Sequence, residues 1–266
     1  MNYEGFKVQV LSLTDIDLNC YKENQMKRRI DALIKKHGCN GYETFLQLIK
    51  KDRKALEEFV TYLTINVTEF FRNPSQWDIL EKHIIPLLTQ KKSTIKIWSA
   101  ACSTGDEPYS LAMTLANLMP LVNFQITATD LDKEVLEKAK AGVYSERNLV
   151  NLPVEFKEKY MTLQNSNYVV KSELKQRITF KQHNLLKDPY PSGMDLIVCR
   201  NVLIYFTEEA KKGIYSNFNK ALVDEGILFV GSTEQIIMCQ EYGFEPNKIF
   251  FYQKKKVVIA ISLSCK

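Results

Sequence analysis

Acidic side chains beside a run of small residues carry the first chemical signal in this 266-residue chain. Ser99-Ala100-Ala101-Cys102-Ser103-Thr104-Gly105 is built almost wholly of small side chains, which lets backbone and ligand approach closely. Asp106 and Glu107 follow at once. Pro108 comes next and suits the first turn of a helix, because it has no N–H to lose. Asp130 lies 25 residues after Gly105, at the end of the run Phe124-Gln125-Ile126-Thr127-Ala128-Thr129-Asp130. A carboxylate at the end of a second strand is placed to accept both hydroxyls of an adenosine ribose. A helix cap is the plainer role for an Asp here, but Asp132 is the better cap for the helix that follows, which leaves Asp130 free. For the small-residue loop itself, an ordinary βα turn is the plainer alternative.

The pattern is not G-x-G-x-x-G, since only Gly105 is present. A pyrophosphate needs amide donors at a helix start, whereas this helix start carries Asp106 and Glu107, which repel phosphate. Such acids suit a ligand with an ammonium group and no phosphate. S-adenosylmethionine has that distribution, with an adenosine, a sulfonium and an amino-acid end.

Further candidates flank the loop. In Thr64-Ile65-Asn66-Val67-Thr68-Glu69-Phe70-Phe71-Arg72-Asn73-Pro74, polar Asn66, Thr68 and Arg72 alternate with Val67, Phe70 and Phe71. Either the aromatics are core with Arg72 at the surface, or they form an apolar lid that presents Arg72, Asn66 and Thr68 to a site in the next domain. A strand from Phe180 runs to Asn184, which can hydrogen-bond an adenine edge. Met194-Asp195-Leu196-Ile197-Val198-Cys199 is a buried strand ending at Arg200-Asn201-Val202-Leu203-Ile204-Tyr205-Phe206, where sites form. Tyr205 needs a partner for its hydroxyl if it is buried.

The elements that position these residues divide the chain. Residues 18–88 hold no convincing strand. Apolar spacing predicts a helix through Leu18, Tyr21, Met26, Ile30, Leu33 and Ile34, a second through Tyr42, Phe45, Leu46 and Ile49, and a third through Leu56, Phe59, Val60 and Leu63. A fourth opens at Pro74 and runs through Trp77, Leu80, Ile84 and Leu88. Ile95, Ile97 and Trp98 mark a strand, and Leu111, Met113, Leu115 and Leu118 a helix. Strands and helices then alternate, apart from a polar interruption at about 144–180. There Asn165-Ser166-Asn167 between Tyr168-Val169-Val170 and Ile178-Thr179-Phe180 suggests an antiparallel insert. Lys248-Ile249-Phe250-Phe251-Tyr252 is the expected closing antiparallel strand. The expected fold class is α/β, a Rossmann-like doubly wound sheet with a small all-α N-terminal domain (1–80). The α/β domain covers 81–256 and contains the insert; 257–266 is a tail.

Composition narrows the function. Hydrophobic content of 45% and charged content of 25% are those of a globular protein. No apolar run is long enough to span a bilayer, and residues 1–5 lack a signal-peptide pattern. Net charge is +5, mild for a nucleic-acid binder. The six cysteines show no C-x-x-C pair and only three histidines exist, so no metal site is expected. The first helix is basic outside, at Lys22, Lys27, Arg28, Arg29, Lys35 and Lys36, with only Glu23 and Asp31 to offset them. That face is either simply solvated or meets an acidic partner.

Together, Asn66-Val67-Thr68-Glu69-Phe70-Phe71-Arg72, the loop 99–110, Ala128-Thr129-Asp130, His183-Asn184-Leu185-Leu186 and the run 199–206 resemble the CheR-type chemotaxis receptor methyltransferase family. The match is ordered and covers nearly the whole chain. The resemblance implies a cytoplasmic S-adenosylmethionine-dependent protein-glutamate O-methyltransferase, with S-adenosylhomocysteine as product and receptor coiled coils as substrate. It implies a methyltransferase domain preceded by a helical substrate-recognition domain, with no nucleic acid, no membrane insertion and a monomeric state. By the same resemblance, Asn66, Thr68, Arg72, Glu107, Asp130, Asn184, Leu185, Asn201 and Val202 contact the cofactor. Arg72 and Tyr205 are the catalytic pair nearest the methyl. The basic face is a separate reading: if it meets an acidic partner, Lys27, Arg28 and Arg29 dock the substrate. Two departures stand out. Asp106 occupies a place where the family more often has Glu. The insert lacks the glycine-rich loop that holds a receptor's C-terminal peptide tether, so tether-independent action is expected. The alternatives are a catalytically silent S-adenosylmethionine-binding adaptor, and a methyltransferase for RNA or a small molecule.

Overall fold

The computed structural model describes residues 1–90 and 92–256; the expected tail at 257–266 lies outside the described residues. The chain opens with α1 (Tyr3–Thr14), capped by Asn2, whose side chain accepts from the Gly5 amide. Its apolar residues lie on several sides, with Phe6 and Val10 buried but Val8 and Leu11 exposed. No clean apolar stripe announces this helix in the sequence. Helices α3 (Tyr42–Lys51) and α4 (Arg53–Thr64) follow the predicted apolar spacing, and α2 (Glu23–Lys36) does so from Met26 onward. Leu18 instead sits in a 3-10 turn (Leu18–Cys20) and Tyr21 in a β-bridge to Phe206, so the helix starts later than its spacing suggested. Asp52 caps α4 by accepting from the Lys54 and Ala55 amides. Phe6, Ile30, Phe45 and Phe59 form the centre of this helical unit, with Phe45 and Phe59 edge to face at 5.6 Å. Its core ends at Leu63.

The next helix differs from the expectation. It runs from α5 (Pro74–Ile79) through a π-helical turn (Leu80–Ile84) into α6 (Ile85–Thr89). The Ile85 amide reaches back to Leu80 O. That wide turn falls just before Pro86, a residue with no N–H to continue the ladder. Trp77, Leu80, Ile84 and Ile85 pack in the core of the α/β sheet with Ile95, Tyr109 and Phe124, not with the first four helices. Apolar periodicity shows that a helix buries a face; it does not show against what.

The remaining elements are β1 (Ile95–Ala100), α7 (Asp106–Leu118), β2 (Phe124–Asp130), α8 (Lys133–Ala141), β3 (Val143–Ser145), α9 (Val154–Tyr160), β4 (Met161–Gln164), β5 (Asn167–Val170), α10 (Ser172–Lys175), β6 (Ile178–Gln182), β7 (Met194–Cys199), α11 (Glu208–Ala221), β8 (Leu222–Val230), β9 (Phe244–Lys248) and β10 (Phe251–Lys254). The large sheet has the order β6-β2-β1-β7-β8-β10-β9. Its first five strands are parallel, and β10 and β9 close it antiparallel. Strand order reverses at β1, whose neighbours are β2 and β7. The crevice beyond the carboxyl ends of these strands is where open α/β sheets bind ligands.

A small antiparallel sheet, β3-β5-β4, carries the hairpin turn Asn165-Ser166, both residues at positive φ. Here the strand reading needs correction. Ile178–Gln182 belongs to the large sheet, parallel to β2, and the partner of β5 across the turn is Met161–Gln164. β6 is an edge strand with exposed Thr179 and Lys181, so its composition reads as polar as the insert's.

Candidate active site

The loop after β1 turns on three residues at positive φ, Ala101 (65°), Ser103 (48°) and Gly105 (93°). Ala101 and Ser103 line a cleft. Gly105 serves the other side, because a Cβ there would stand 2.9 Å from the Ala139 Cβ and 3.0 Å from the Tyr144 hydroxyl. Its requirement is helix packing behind the loop, not ligand approach. The two acids also part company. Asp106 is 1% exposed and accepts from the Thr104 hydroxyl at 2.6 Å, turned away from the cleft. Glu107 lines the cleft and accepts from the Ser99 hydroxyl at 2.8 Å. Burial pushes the Glu107 carboxyl above the usual carboxylate range, and the Arg200 charge opposes that push.

Asp130 and Asp132 divide the work at the end of β2. Asp132 caps α8 through the Glu134 amide at 2.8 Å and accepts from the Asn66 side chain at 2.9 Å. Asp130 is 6% exposed; one carboxylate oxygen accepts from the Ser103 amide (2.8 Å) and the other from the Asp132 amide (3.0 Å). Each oxygen keeps a second lone pair for a ligand hydroxyl. Burial pushes this carboxyl up to about 6.

Across the cleft, the arm from Thr64 to Asn73 shows that the two readings of its aromatics are not exclusive. Phe70 and Phe71 are core: Phe70 stands edge-on to Tyr144 at 4.8 Å, and Phe71 lies 5.0 Å from Trp77 and 5.4 Å from Phe156. Anchored in this way, the arm still presents Asn66, Thr68 and Arg72 to the cleft. The Arg72 guanidinium donates to Val67 O at 3.1 Å.

The loop after β7 supplies the third wall. Asn201 sits at φ 59°, and the buried Glu234 accepts from the amides of Asn201, Ile204 and Gly231. This clasp shapes the turn that brings Val202 and Tyr205 to the cleft. Tyr205 O accepts from the Lys22 amide at 2.8 Å, and the Thr207 amide donates to Cys20 O at 2.9 Å. With the Tyr21–Phe206 bridge between them, main-chain bonds join the helical unit to the site.

Two adjoining cavities of about 520 and 540 Å³ result, both walled by Thr64, Ala101, Asp130, Val202 and Tyr205. Asn66, Thr68, Arg72, Glu107 and Asn201 line the first; Asn184 and Leu185 line the second, with Tyr21, Leu63 and Phe206. The expected cofactor and catalytic residues thus stand around one cleft. Asn184 is partly committed, because its Oδ1 accepts from the Leu186 amide at 2.9 Å. Lys27, Arg28 and Arg29 lie on α2 outside the cleft. Lys27 and Arg28 are exposed, but Arg29 donates to Tyr62 O at 2.5 Å with its guanidinium 4.5 Å from the Tyr62 ring centroid.

Two residues that line or shape the site went unassigned in the sequence. Arg200 lines the first cavity with its side chain buried. Its place directly after a strand buried at every position was the available signal. Glu234 had none, since two of its three amide partners, Asn201 and Ile204, lie 33 and 30 residues earlier in the chain. No group of His, Cys, Asp and Glu able to hold a metal exists among the described residues.

The cleft can be tested against S-adenosylmethionine. The buried Ser103 Oγ and Asn201 Oδ1 have no protein partner and belong to cleft-lining residues. Buried polar atoms are rarely left unpaired, so they await ligand or water. Glu107 suits an ammonium, Asp130 suits ribose hydroxyls, and Leu63, Leu131, Leu185, Val202 and Phe206 offer apolar walls to a purine. The residues fit the group.

Comparison with known proteins points the same way. Residues 1–64 match the family model "CheR methyltransferase, all-alpha domain", and residues 66–249 match "CheR methyltransferase, SAM binding domain". The chain is 42% identical over 240 residues to the chemotaxis protein methyltransferase of Listeria innocua, covering 90% of this chain and 92% of that one. The protein of the same name from Salmonella typhimurium is 32% identical, with 88% and 82% covered. That from Escherichia coli is 35% identical, with 79% and 74% covered.

Proposed function

This chain belongs to the CheR methyltransferase family, and on that premise we propose that it transfers a methyl group from S-adenosylmethionine to glutamate side chains of chemoreceptors. The products are glutamyl methyl esters and S-adenosylhomocysteine. One observation carries the chemistry: Arg72 from the arm and Tyr205 from the β7 loop meet in the cleft that Glu107 and Asp130 also line.

Bound S-adenosylmethionine supplies an activated methyl on a positively charged sulfur. Asp130 would hold the ribose hydroxyls, Glu107 the amino group, and Asn184 and Leu185 the adenine. Asn66, Thr68, Asn201 and Val202 complete the donor's walls. A substrate glutamate is already ionised at neutral pH, so no general base is needed. Arg72 orients that carboxylate, Tyr205 helps to place it, and the surrounding walls exclude water. Positioning and desolvation do most of the work.

We assign substrate recognition to the helical unit. Its exposed Lys27 and Arg28 face an acidic receptor coiled coil in the cytoplasm, with the enzyme acting as a monomer. The β4–β5 hairpin turns on Asn165-Ser166 with no glycine-rich loop, which supports action without a peptide tether. The test is transfer from labelled S-adenosylmethionine to receptor-bearing membranes, scored as alkali-labile methyl on protein. Donor binding without transfer to protein would support the silent adaptor instead.

A further inference from the structure

Arg200 poses a question that the donor and acceptor do not answer. Its side chain is 2% exposed and its Nη1 lies 3.6 Å from Glu107 Oε2. Its Nη2 donates to Arg72 O (2.6 Å), Asn73 Oδ1 (3.2 Å) and Gln76 Oε1 (2.7 Å). The guanidinium carbon is 4.9 Å from the Phe229 ring centroid and 5.7 Å from that of Trp77. Burying such a charge seldom improves stability over an apolar side chain of similar volume. Stability is therefore a poor reason for an arginine here.

The arm that it holds gives a better one. Ile65, Phe71 and Asn73 all stand at positive φ, at 51°, 49° and 59°. Ile65 is β-branched and Phe71 bulky, so both are strained there and persist only where the surroundings over-determine the backbone. Arg72 lies between two of these residues. Its carbonyl accepts from both Arg200 and the Trp77 indole (3.0 Å), but of the two only Arg200 also reaches Glu107.

We propose that Arg200 is a positioning residue that holds the Arg72 main chain and the Glu107 carboxylate in one register, fixing the acceptor's anchor relative to the donor's. This rests on the methyltransferase reading above. Lysine keeps the charge but lacks the planar fork needed to serve these acceptors together.

The test uses the full chain, Arg200→Lys, Arg72→Ala and the double variant, with kcat, receptor KM, Tm and S-adenosylhomocysteine Kd measured for each. Arg200→Lys should lower kcat about a hundredfold, the scale of a misplacement of about 1 Å, and weaken the Kd severalfold. In the Arg72→Ala background the further kcat loss should shrink to less than threefold, because no guanidinium remains to be placed. The weaker Kd should persist, because it acts through Glu107. A merely structural role would multiply the two kcat losses in full, and that result overturns the proposal; so does Arg200→Lys with kcat within threefold of the parent. If Arg200→Lys does not fold, Gln76→Met removes one acceptor outside the cleft and should repeat the pattern at smaller amplitude; unchanged kcat there overturns it as well. A parent protein that binds S-adenosylhomocysteine but methylates no receptor sinks the methyltransferase reading alone. In that case the Kd series still decides whether Arg200 acts on Glu107, and an unchanged Kd overturns the proposal.

Discussion

Asp130→Asn is the sharpest perturbation of the donor end. Both Asp130 oxygens already accept a main-chain N–H, from Ser103 and from Asp132. An amide must therefore aim its NH₂ at one of these donors, whichever way it is turned. The substitution also removes the charge behind the two ribose hydrogen bonds proposed for Asp130, each worth about 1.5–3 kcal/mol to an ionised partner. A loss of at least about 3 kcal/mol, or roughly a hundredfold in Kd, follows. The pH dependence adds a second reading. Burial pushes the Asp130 carboxyl from 3.8 to about 6, so the folded protein keeps this proton at a pH where the unfolded chain has lost it. Ionising the group in place thus removes about 3 kcal/mol of stability as pH rises from 3.8 to 6. A ligand that donates to the carboxylate must displace that proton below pH 6. Calorimetric Kd for S-adenosylhomocysteine should be level above pH 7 in this respect and weaken about fivefold from pH 6 to pH 5. Asp130→Asn should lose this component of the slope and bind about a hundredfold more weakly at pH 7.5. A variant that binds within threefold of the parent, or that keeps the whole slope, refutes the assignment.

Three further expectations can be checked directly. Arg72→Ala should cut turnover on receptors far more than Tyr205→Phe, and equal losses in kcat would contradict their roles. Lys27→Glu with Arg28→Glu should raise the receptor KM and leave donor Kd unchanged, whereas Arg29→Glu should instead lower Tm, because Arg29 is bound to Tyr62. Gly105→Ala should destabilise by about 1–3 kcal/mol, read as a lower denaturation midpoint, because its Cβ would overlap Ala139 at a positive φ; an unchanged midpoint would show that the loop can shift.

Much of the fold was legible because apolar spacing is a local property. Helices α2 to α4 and the buried strands β1, β2 and β7 repeat their burial pattern in the sequence itself. What stayed hidden depended on partners distant in the chain. Helix α1 buries Phe6 and Val10 but leaves Val8 and Leu11 in solvent, so its stripe is blurred. Ile178–Gln182 reads as polar because it forms a sheet edge. At the site, residue type showed that an acid belongs beside the loop after β1, but not that Asp106 turns inward to Thr104 while Glu107 faces the cleft. Arg200 bonds the Arg72 carbonyl and the side chains of Asn73 and Gln76 more than a hundred residues away, and Glu234 clasps the amides of Asn201 and Ile204; partners so distant in the chain leave no trace in local spacing.

The short bridge at Tyr21 and Phe206 has a kinetic consequence. The Lys22 and Thr207 amides each donate across the boundary between the helical unit and the sheet. An opening that separates Tyr21 from Phe206 must break both bonds and expose both protons to solvent at once. Their deuterium exchange is therefore a clock for inter-domain opening, separable from global unfolding, which the amides inside β1 and β7 report. If the two clocks run together, the cleft opens only when the protein unfolds, and the donor must enter through the closed form.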